Sequence, residues 1–196
     1  MGYYGVAVVK KNSSLKLKDL KDKKTCHTAA GKNAGWIIPV GYLLRTKTMP
    51  NLGNQWKSAA EYFGGSCVPG MVLNSVLGGF VFNLFVVFFY NFYLTTNYHV
   101  CTFYKLLLGV KSKTNDTAVT KKLCELCKNP TVCSDEDGYA SHDGAFKCMA
   151  EGAGEVAFVK QNTTASVIAE NAGKYGALGD YRLLCKDESM KGKLYS

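Results

Sequence analysis

Residues 25–36 read Thr-Cys-His-Thr-Ala-Ala-Gly-Lys-Asn-Ala-Gly-Trp, and this stretch decides the fold class. Its first four residues are typical of a short strand, and the small residues after them predict a turn into a helix. Small side chains also allow backbone N–H groups at the start of a helix to face a ligand. A strand that runs directly into a helix is the basic unit of α/β proteins.

The rest of the chain repeats this alternation. Residues 3–9 are short, apolar and β-branched, which predicts a buried strand. Further strands are predicted at 155–160 and 181–185, and helices at 55–63, 144–151 and 165–171. Because strands and helices alternate, we expect an α/β fold.

One hydrophobic segment departs from this pattern. No charged residue occurs between Glu61 and Lys105, and residues 80–104 are rich in aromatic side chains. Taken alone, residues 72–94 meet the length and polarity criteria for a membrane-spanning helix. Three interpretations stay open: a membrane-inserted segment, a buried core segment, or a non-native insertion such as translated intronic sequence.

The position of this segment favours an insertion. It separates Cys67 from Cys124 and Cys127, which would otherwise be near neighbours in a cluster of cysteines. We therefore divide the chain into a first domain part at 1–70, a hydrophobic insertion at 71–117 and a second domain part at 118–196.

The charge of the chain suits anionic partners. Lysine and arginine number 24 against 15 acidic residues, which gives a net charge of +9. The densest basic run, from Lys16 to Lys24, is interrupted by Asp19 and Asp22 and contains no aromatic residues. We therefore expect no binding to nucleic acid.

Cysteine content indicates an oxidising compartment. Eight cysteines are many for a chain of 196 residues, and three glycosylation sequons, at Asn12, Asn115 and Asn162, agree with an extracellular location. No signal segment precedes the first strand, which predicts a fragment of a secreted or cell-surface protein. The pair Cys124 and Cys127 has zinc-site spacing, but in this context disulfides are favoured.

The turn after the first quoted strand predicts an anion site. Thr28 supplies a hydroxyl, Lys32 a positive charge, and Ala34 and Gly35 lie where a helix begins with backbone donors. Such a group holds a carbonate, carboxylate or phosphate. An ordinary strand-to-helix turn is the alternative interpretation. The phosphate-binding loop of nucleotide hydrolases is excluded, since its second glycine is missing and Lys32 precedes Asn33.

Several long motifs together resemble the second subdomain of a transferrin lobe. They cover nearly everything outside the insertion and occur in family order at residues 3–11, 23–28, 34–41, 62–70, 123–127, 144–148, 151–160 and 181–185. The Ser-Cys-Val-Pro-Gly form at 66–70 is similar to melanotransferrin and the otolith-matrix members of the family. The resemblance implies a mixed sheet flanked by helices, like one domain of a periplasmic binding protein.

The resemblance also implies a ligand set. The family binds one Fe(III) per lobe with an aspartate, two tyrosines, a histidine and a bidentate carbonate, which suits a hard cation. Tyr3 matches the first tyrosine, and Thr28, Lys32, Ala34 and Gly35 match the carbonate site. Lys160 matches a lysine that helps to release iron as the pH falls in some lobes. The aspartate and the histidine would lie on segments that this chain lacks.

Two positions differ from the family pattern. His142 stands where the second tyrosine is expected, and a neutral imidazole stabilises Fe(III) less than a phenolate does. Lys32 stands where the family has an arginine, whose guanidinium group donates two hydrogen bonds to carbonate. Both changes predict weakened binding of iron and carbonate.

The resemblance further implies three disulfides, Cys26–Cys148, Cys67–Cys127 and Cys124–Cys133. It leaves Cys101 in the insertion unpaired, and it leaves Cys185 without a partner because that partner would follow Ser196.

These observations predict a binding protein and not an enzyme. The expected function is that of a partial transferrin-like domain for ferric iron and carbonate, with binding weakened or lost. The expected partner is the missing subdomain of the same lobe, and membrane association is possible through residues 72–94 or through the parent protein. The alternative is an extracellular-matrix or cell-surface homologue that binds no iron.

Overall fold

The structure is a computed structural model that describes residues 4–71 and 114–186. The strands are β1 (Gly5–Lys10), β2 (Lys24–His27), β3 (Gly65–Cys67), β4 (Val156–Lys160) and β5 (Tyr181–Leu183). The helices are α1 (Ile38–Arg45), α2 (Gln55–Tyr62), α3 (Thr117–Cys124), α4 (Ser141–Ala150) and α5 (Thr163–Glu170). A π-helical turn, Asn33–Ile37, leads into α1, and 3-10 turns occur at Leu17–Asp19 and Leu178–Asp180.

The five strands form one mixed sheet in the order β3-β2-β4-β1-β5. Strand β2 pairs in parallel with both β3 and β4, whereas β1 pairs antiparallel with β4 and β5. Residues of β1, β2 and β4 are almost all buried, as expected for central strands covered by helices. The predicted α/β fold with a mixed sheet is confirmed.

The predicted strands and helices occur in the structure with small shifts. Helix α4 begins at Ser141 instead of residue 144, because the Ser141 N–H donates to the Thr28 carbonyl at 2.9 Å and its side chain caps the first turn. Helix α5 begins at Thr163 instead of residue 165. Helix α2 begins after Asn54, whose side-chain oxygen accepts from the N–H groups of Trp56 and Lys57.

Two elements were not predicted. Strand β3 has only three residues, Gly-Ser-Cys, and its extended form depends on pairing with β2. Helix α3 begins at Thr117 with Asp116 as its N-cap, at the edge of the predicted insertion.

The structure contains the three disulfides that the family resemblance implied. Cys26–Cys148 joins β2 to α4, Cys67–Cys127 joins β3 to the loop after α3, and Cys124–Cys133 closes that loop. These bonds exclude the zinc alternative at Cys124 and Cys127, since a thiolate is needed to bind zinc. The expectation that Cys185 is unpaired was wrong, because Cys185 is disulfide-bonded.

The predicted hydrophobic insertion falls almost entirely outside the described residues, so its bounds and nature stay predictions. Within the parts of the chain that the structure describes, none of the helices has both the length and the apolar character needed to cross a membrane.

Candidate anion site

The predicted anion-site residues, together with His142 and Lys160, lie at one edge of the sheet. Strands β2 and β4 run in parallel and therefore end at the same edge. Strand β1 runs antiparallel to β4 and begins at that edge, where Gly5 lies opposite Lys160. Loops that leave the carboxyl ends of parallel strands are the usual place for ligands in α/β sheets.

Thr28 follows β2 directly and provides the clearest sign of a ligand. Its side-chain oxygen is buried, and it has no hydrogen-bond partner among residues 4–71 and 114–186. Leaving a buried hydroxyl unpaired costs about 1–3 kcal/mol. An oxygen of a bound anion could accept from this hydroxyl and recover that free energy.

Gly35 packs directly against Thr28. A Cβ atom built on Gly35 would overlap the Oγ1, backbone N and Cβ atoms of Thr28. Only glycine therefore permits this approach, which brings the start of the helical segment beside the unpaired hydroxyl.

The turn that packs against Thr28 also carries backbone donors. The N–H groups of Ala34 and Gly35 are in the first turn of the helical segment that begins at Asn33, and no described residue accepts a hydrogen bond from either. The first N–H groups of a helix have no partner within the helix, and they carry a partial positive charge. Lys32 is exposed just before this turn and adds a full positive charge.

Helix α4 closes the other side of the site. The hydrogen bond between the Ser141 N–H and the Thr28 carbonyl fixes the start of α4 beside the end of β2. Ser141 has a φ of 72°, in the left-handed region that few residues other than glycine adopt. Strained backbone of this kind is concentrated at functional sites.

His142, the next residue, makes a hydrogen bond that decides its tautomer. Its Nδ1 atom accepts from the Lys160 backbone N–H at 3.2 Å. A neutral imidazole with an acceptor at Nδ1 carries its proton on Nε2. Burial and the nearby Lys160 cation lower the pKa of His142, so the neutral form is favoured.

Tyr3, the other predicted iron ligand, lies outside the described residues. Its neighbour Tyr4 pairs with the loop after β4, since the Tyr4 N–H donates to Gln161 Oε1 at 2.8 Å and the Gln161 N–H donates to the Tyr4 carbonyl. Lys160, the candidate for pH-dependent release, is half-buried at the end of β4.

His27 is a buried polar residue next to Thr28 that the sequence did not single out. In the structure the His27 ring is fully buried and its Nδ1 atom lies 2.7 Å from the Gly35 carbonyl oxygen. The only sequence signal was its position next to Thr28 at the end of an apolar strand.

A second cluster resembles a metal centre but is not one. Ligand atoms of Cys67, Cys127 and Asp137 lie within 4.8 Å of one another. The two cysteines are bonded to each other and supply no thiolate. The Asp137 carboxylate accepts from the N–H groups of Lys128, Asn129 and Tyr139 and so organises the disulfide loop.

The family model for transferrin matches residues 1–76 and 104–193 of this chain. The chain belongs to the transferrin family. Residues 77–103, which the family model leaves unmatched, lie within the predicted insertion.

Relatives of this transferrin-family chain are much longer than it is. It is 34% identical to serotransferrin of Equus caballus over a gapped alignment of 193 positions that covers 96% of this chain and 20% of the relative. It is 32% identical to melanotransferrin of Homo sapiens over a gapped alignment of 198 positions that covers 95% of this chain and 21% of the relative. It is 33% identical to a protein of Sus scrofa named inhibitor of carbonic anhydrase, with coverages of 96% and 20%.

A solved structure agrees with the fold. Transferrin 1 from Manduca sexta superposes with a TM-score of 0.67 at 23% sequence identity, over 98% of this transferrin-family chain and 26% of the insect protein.

Proposed function

We propose that this chain provides the anion-binding half of a transferrin-type iron site, in which the carbonate cradle is retained and iron binding is weakened. The observation that carries the proposal is the buried Thr28 hydroxyl, which has no partner in the described part of the chain and lies against Gly35. Thr28, Lys32, Ala34 and Gly35 are the proposed carbonate-binding residues.

Carbonate fits this group of donors. A planar anion with three oxygens can accept from the Thr28 hydroxyl and from the Ala34 and Gly35 N–H groups at once. Hydrogen bonds to a charged acceptor are stronger than those between neutral groups. Lys32 contributes a point charge in place of the two parallel hydrogen bonds of an arginine, so we expect lower affinity than an arginine would provide.

The tautomer of His142 is the reason to propose weakened iron binding. To coordinate Fe(III) through Nε2, the ring must lose the proton that it carries there or move it to Nδ1. A proton on Nδ1 would face the Lys160 N–H and break the hydrogen bond between them. Only Tyr3 would then supply an anionic ligand from this half of the lobe, and Fe(III) prefers several anionic oxygens.

Titration with bicarbonate tests the anion site directly. Two-dimensional NMR of the ¹⁵N-labelled 196-residue chain should show saturable shifts of the Ala34 and Gly35 amide signals. Chloride at equal ionic strength controls for salt effects. Amide signals that do not respond to bicarbonate would contradict the proposal.

The variant Gly35→Ala is expected to lose bicarbonate binding. The new methyl group overlaps Thr28 and forces the helical turn away from the hydroxyl, which should also lower the free energy of unfolding by about 1–3 kcal/mol. Gly179→Ala is the matched control, because a Cβ atom at Gly179 would have no neighbour within 4 Å. Isothermal titration calorimetry and urea unfolding measure the two effects, and equal behaviour of both variants would refute the close approach at Gly35.

The variant His142→Tyr is expected to gain iron binding. A phenolate in place of the imidazole would give this half of the lobe two tyrosine ligands, Tyr3 and residue 142, next to the carbonate site. We expect a phenolate-to-iron charge-transfer band after addition of ferric nitrilotriacetate and bicarbonate, and little or no band from the unmodified chain. His142→Phe, which adds a ring without an oxygen, is the control. A strong band from the unmodified chain would show that iron binding is not weakened.

A second candidate function is that of an extracellular family member that binds no iron, such as a matrix, cell-surface or inhibitory protein. The engagement of His142 by the Lys160 N–H favours it, and one relative is named inhibitor of carbonic anhydrase. If the unmodified chain binds neither bicarbonate nor iron, this second function is supported.

The proposal also covers the cellular location and the partner of this chain. Three buried disulfides favour an oxidising, extracellular location. The expected partner is the other subdomain of a lobe, since the chain covers only 20% of horse serotransferrin. Residues 71–117 are proposed as an insertion between two parts of one domain, and membrane association through 72–94 would follow only if that segment is retained.

A further inference from the structure

Four polar groups form a continuous buried chain that ends at the proposed anion site. The Ser66 Oγ atom lies 2.7 Å from Thr25 Oγ1, which lies 2.9 Å from His27 Nε2, and His27 Nδ1 lies 2.7 Å from the Gly35 carbonyl oxygen. The side chains of Ser66, Thr25 and His27 have no exposed surface. Buried polar groups are costly unless each is paired, so the order of donors and acceptors along this chain is constrained.

Only one arrangement of protons satisfies every group with a neutral ring. The Gly35 carbonyl can only accept, so His27 Nδ1 must carry the proton and donate it. Nε2 of the neutral ring is then an acceptor, and the Thr25 hydroxyl must donate to it. Thr25 has used its single proton, so Ser66 donates to Thr25. The Gly35 carbonyl therefore sets the tautomer of His27 and, through it, the direction of the hydrogen bonds at Thr25 and Ser66, two residues on neighbouring strands.

Aromatic side chains hold the ring in place. Trp36 and Phe158 each lie with ring centroids 5.1 Å from His27, and Phe63 lies at 5.7 Å. Burial lowers the pKa of His27 to about 4, although its hydrogen bond to Gly35 acts in the opposite direction. The ring therefore stays neutral and keeps its single tautomer at ordinary pH.

Gly35 is consequently held on two sides. Its carbonyl is bound by His27, and its Cα packs against Thr28, the residue that follows His27. The next residue, Trp36, donates its N–H to the Lys32 carbonyl at 2.9 Å and its indole N–H to Gln55 at 3.1 Å. A change at His27 would therefore remove one of the two contacts that hold Gly35 itself.

We propose that His27 is a positioning residue for the anion site: by donating from Nδ1 to the Gly35 carbonyl, it fixes the turn that presents the Ala34 and Gly35 N–H groups beside the Thr28 hydroxyl. This inference rests on the proposed anion-binding function, and it adds a residue that does not itself contact the anion. The anion is a small planar oxyanion of the carbonate class.

Two variants of the full chain test whether His27 acts by positioning Gly35 through its hydrogen bond or only by packing in the core. His27→Leu removes the donor and keeps an apolar side chain among the aromatic rings. His27→Asn keeps a donor nitrogen two bonds from Cβ, as Nδ1 is, and can still reach the Gly35 carbonyl. We expect the dissociation constant for bicarbonate to rise at least about tenfold in His27→Leu and to be largely restored in His27→Asn.

Measurements without any anion test the same inference independently. The ¹⁵N spectrum of the imidazole should show protonated Nδ1 and unprotonated Nε2, and Thr25→Val, which removes the donor to Nε2 at constant shape, should alter that signature. In His27→Leu the Ala34 and Gly35 amide signals should shift or broaden, and in His27→Asn they should return towards their original positions.

The possible outcomes have distinct meanings. If the unmodified chain does not bind bicarbonate, the proposed function fails, and the anion-free amide and ring signals still decide the positioning role. If His27→Leu leaves those amide signals and the affinity unchanged, the inference is wrong. It is also wrong if His27→Leu and His27→Asn weaken binding equally, because that result indicates only a general effect on the core. If His27→Leu does not fold, the same measurements on Thr25→Val and His27→Asn test the inference.

Discussion

Removal of the Cys26–Cys148 disulfide is expected to lower the free energy of unfolding by about 5 kcal/mol. The two cysteines are separated by 122 residues in sequence, so their bond restricts a very long loop of the unfolded chain. The entropy lost by the unfolded state grows with the logarithm of loop length. The variant that tests this carries Cys26→Ala and Cys148→Ala together, and urea unfolding at pH 7 measures the change.

The Cys124–Cys133 disulfide provides the matched control. Its cysteines are separated by only 9 residues, so its removal by the same substitutions should cost about 2.5 kcal/mol. Equal costs for the two pairs would contradict loop entropy as the main source of stabilisation. Because Cys26–Cys148 joins the strand that precedes Thr28 to the helix that contains His142, its loss should also weaken bicarbonate binding, whereas loss of Cys124–Cys133 should not.

Acidification is expected to destabilise the domain through His27. Burial lowers the pKa of His27 from 6.5 to about 4, so between these two values the unfolded state binds a proton that the folded state does not. Stability therefore rises with pH across this window and is lost as the pH falls from 6.5 towards 4. The shift corresponds to roughly 3 kcal/mol, all of which should be lost below about pH 4.

Urea unfolding between pH 7 and pH 4 measures this dependence, and His27→Asn is the control because it has no ring to titrate. In that variant the free energy of unfolding should depend much less on pH between pH 6.5 and pH 4. A smaller slope should persist from His142, whose pKa is also lowered by burial and by Lys160. If the free energy of unfolding of His27→Asn changed with pH as much as that of the unmodified chain, His27 would be excluded as the cause of the pH dependence.

Most strands and helices could be predicted because the residues that specify each of them lie close together in the sequence. Apolar runs such as residues 6–9 and 156–159 are buried as strands, as their composition indicates. Helix α2 has its N-cap and its apolar face within ten residues. Strand β3 was missed because Gly-Ser-Cys has little tendency to be extended and becomes a strand only by pairing with β2.

The candidate site was predicted in part. The anion-site residues from Thr28 to Gly35 are contiguous, so their convergence could be expected from a strand followed by a turn and a helix. The engagement of His142 was not predictable, because the donor is a backbone N–H 18 residues further along the chain.

The amino-acid sequence alone was enough to predict the α/β class, the family and, through the family, three disulfide pairs, and it supplied the residues of the proposed anion site. These depend on composition, on local periodicity and on long motifs that can be read along the chain. The three-dimensional structure was needed to find that the Thr28 hydroxyl is buried without a described partner, that His142 Nδ1 accepts a hydrogen bond and that His27 Nδ1 is bonded to the Gly35 carbonyl. The reason is physical: burial and the direction of a hydrogen bond depend on atoms brought together from distant segments, as Ser66 and Thr25 are across 41 residues.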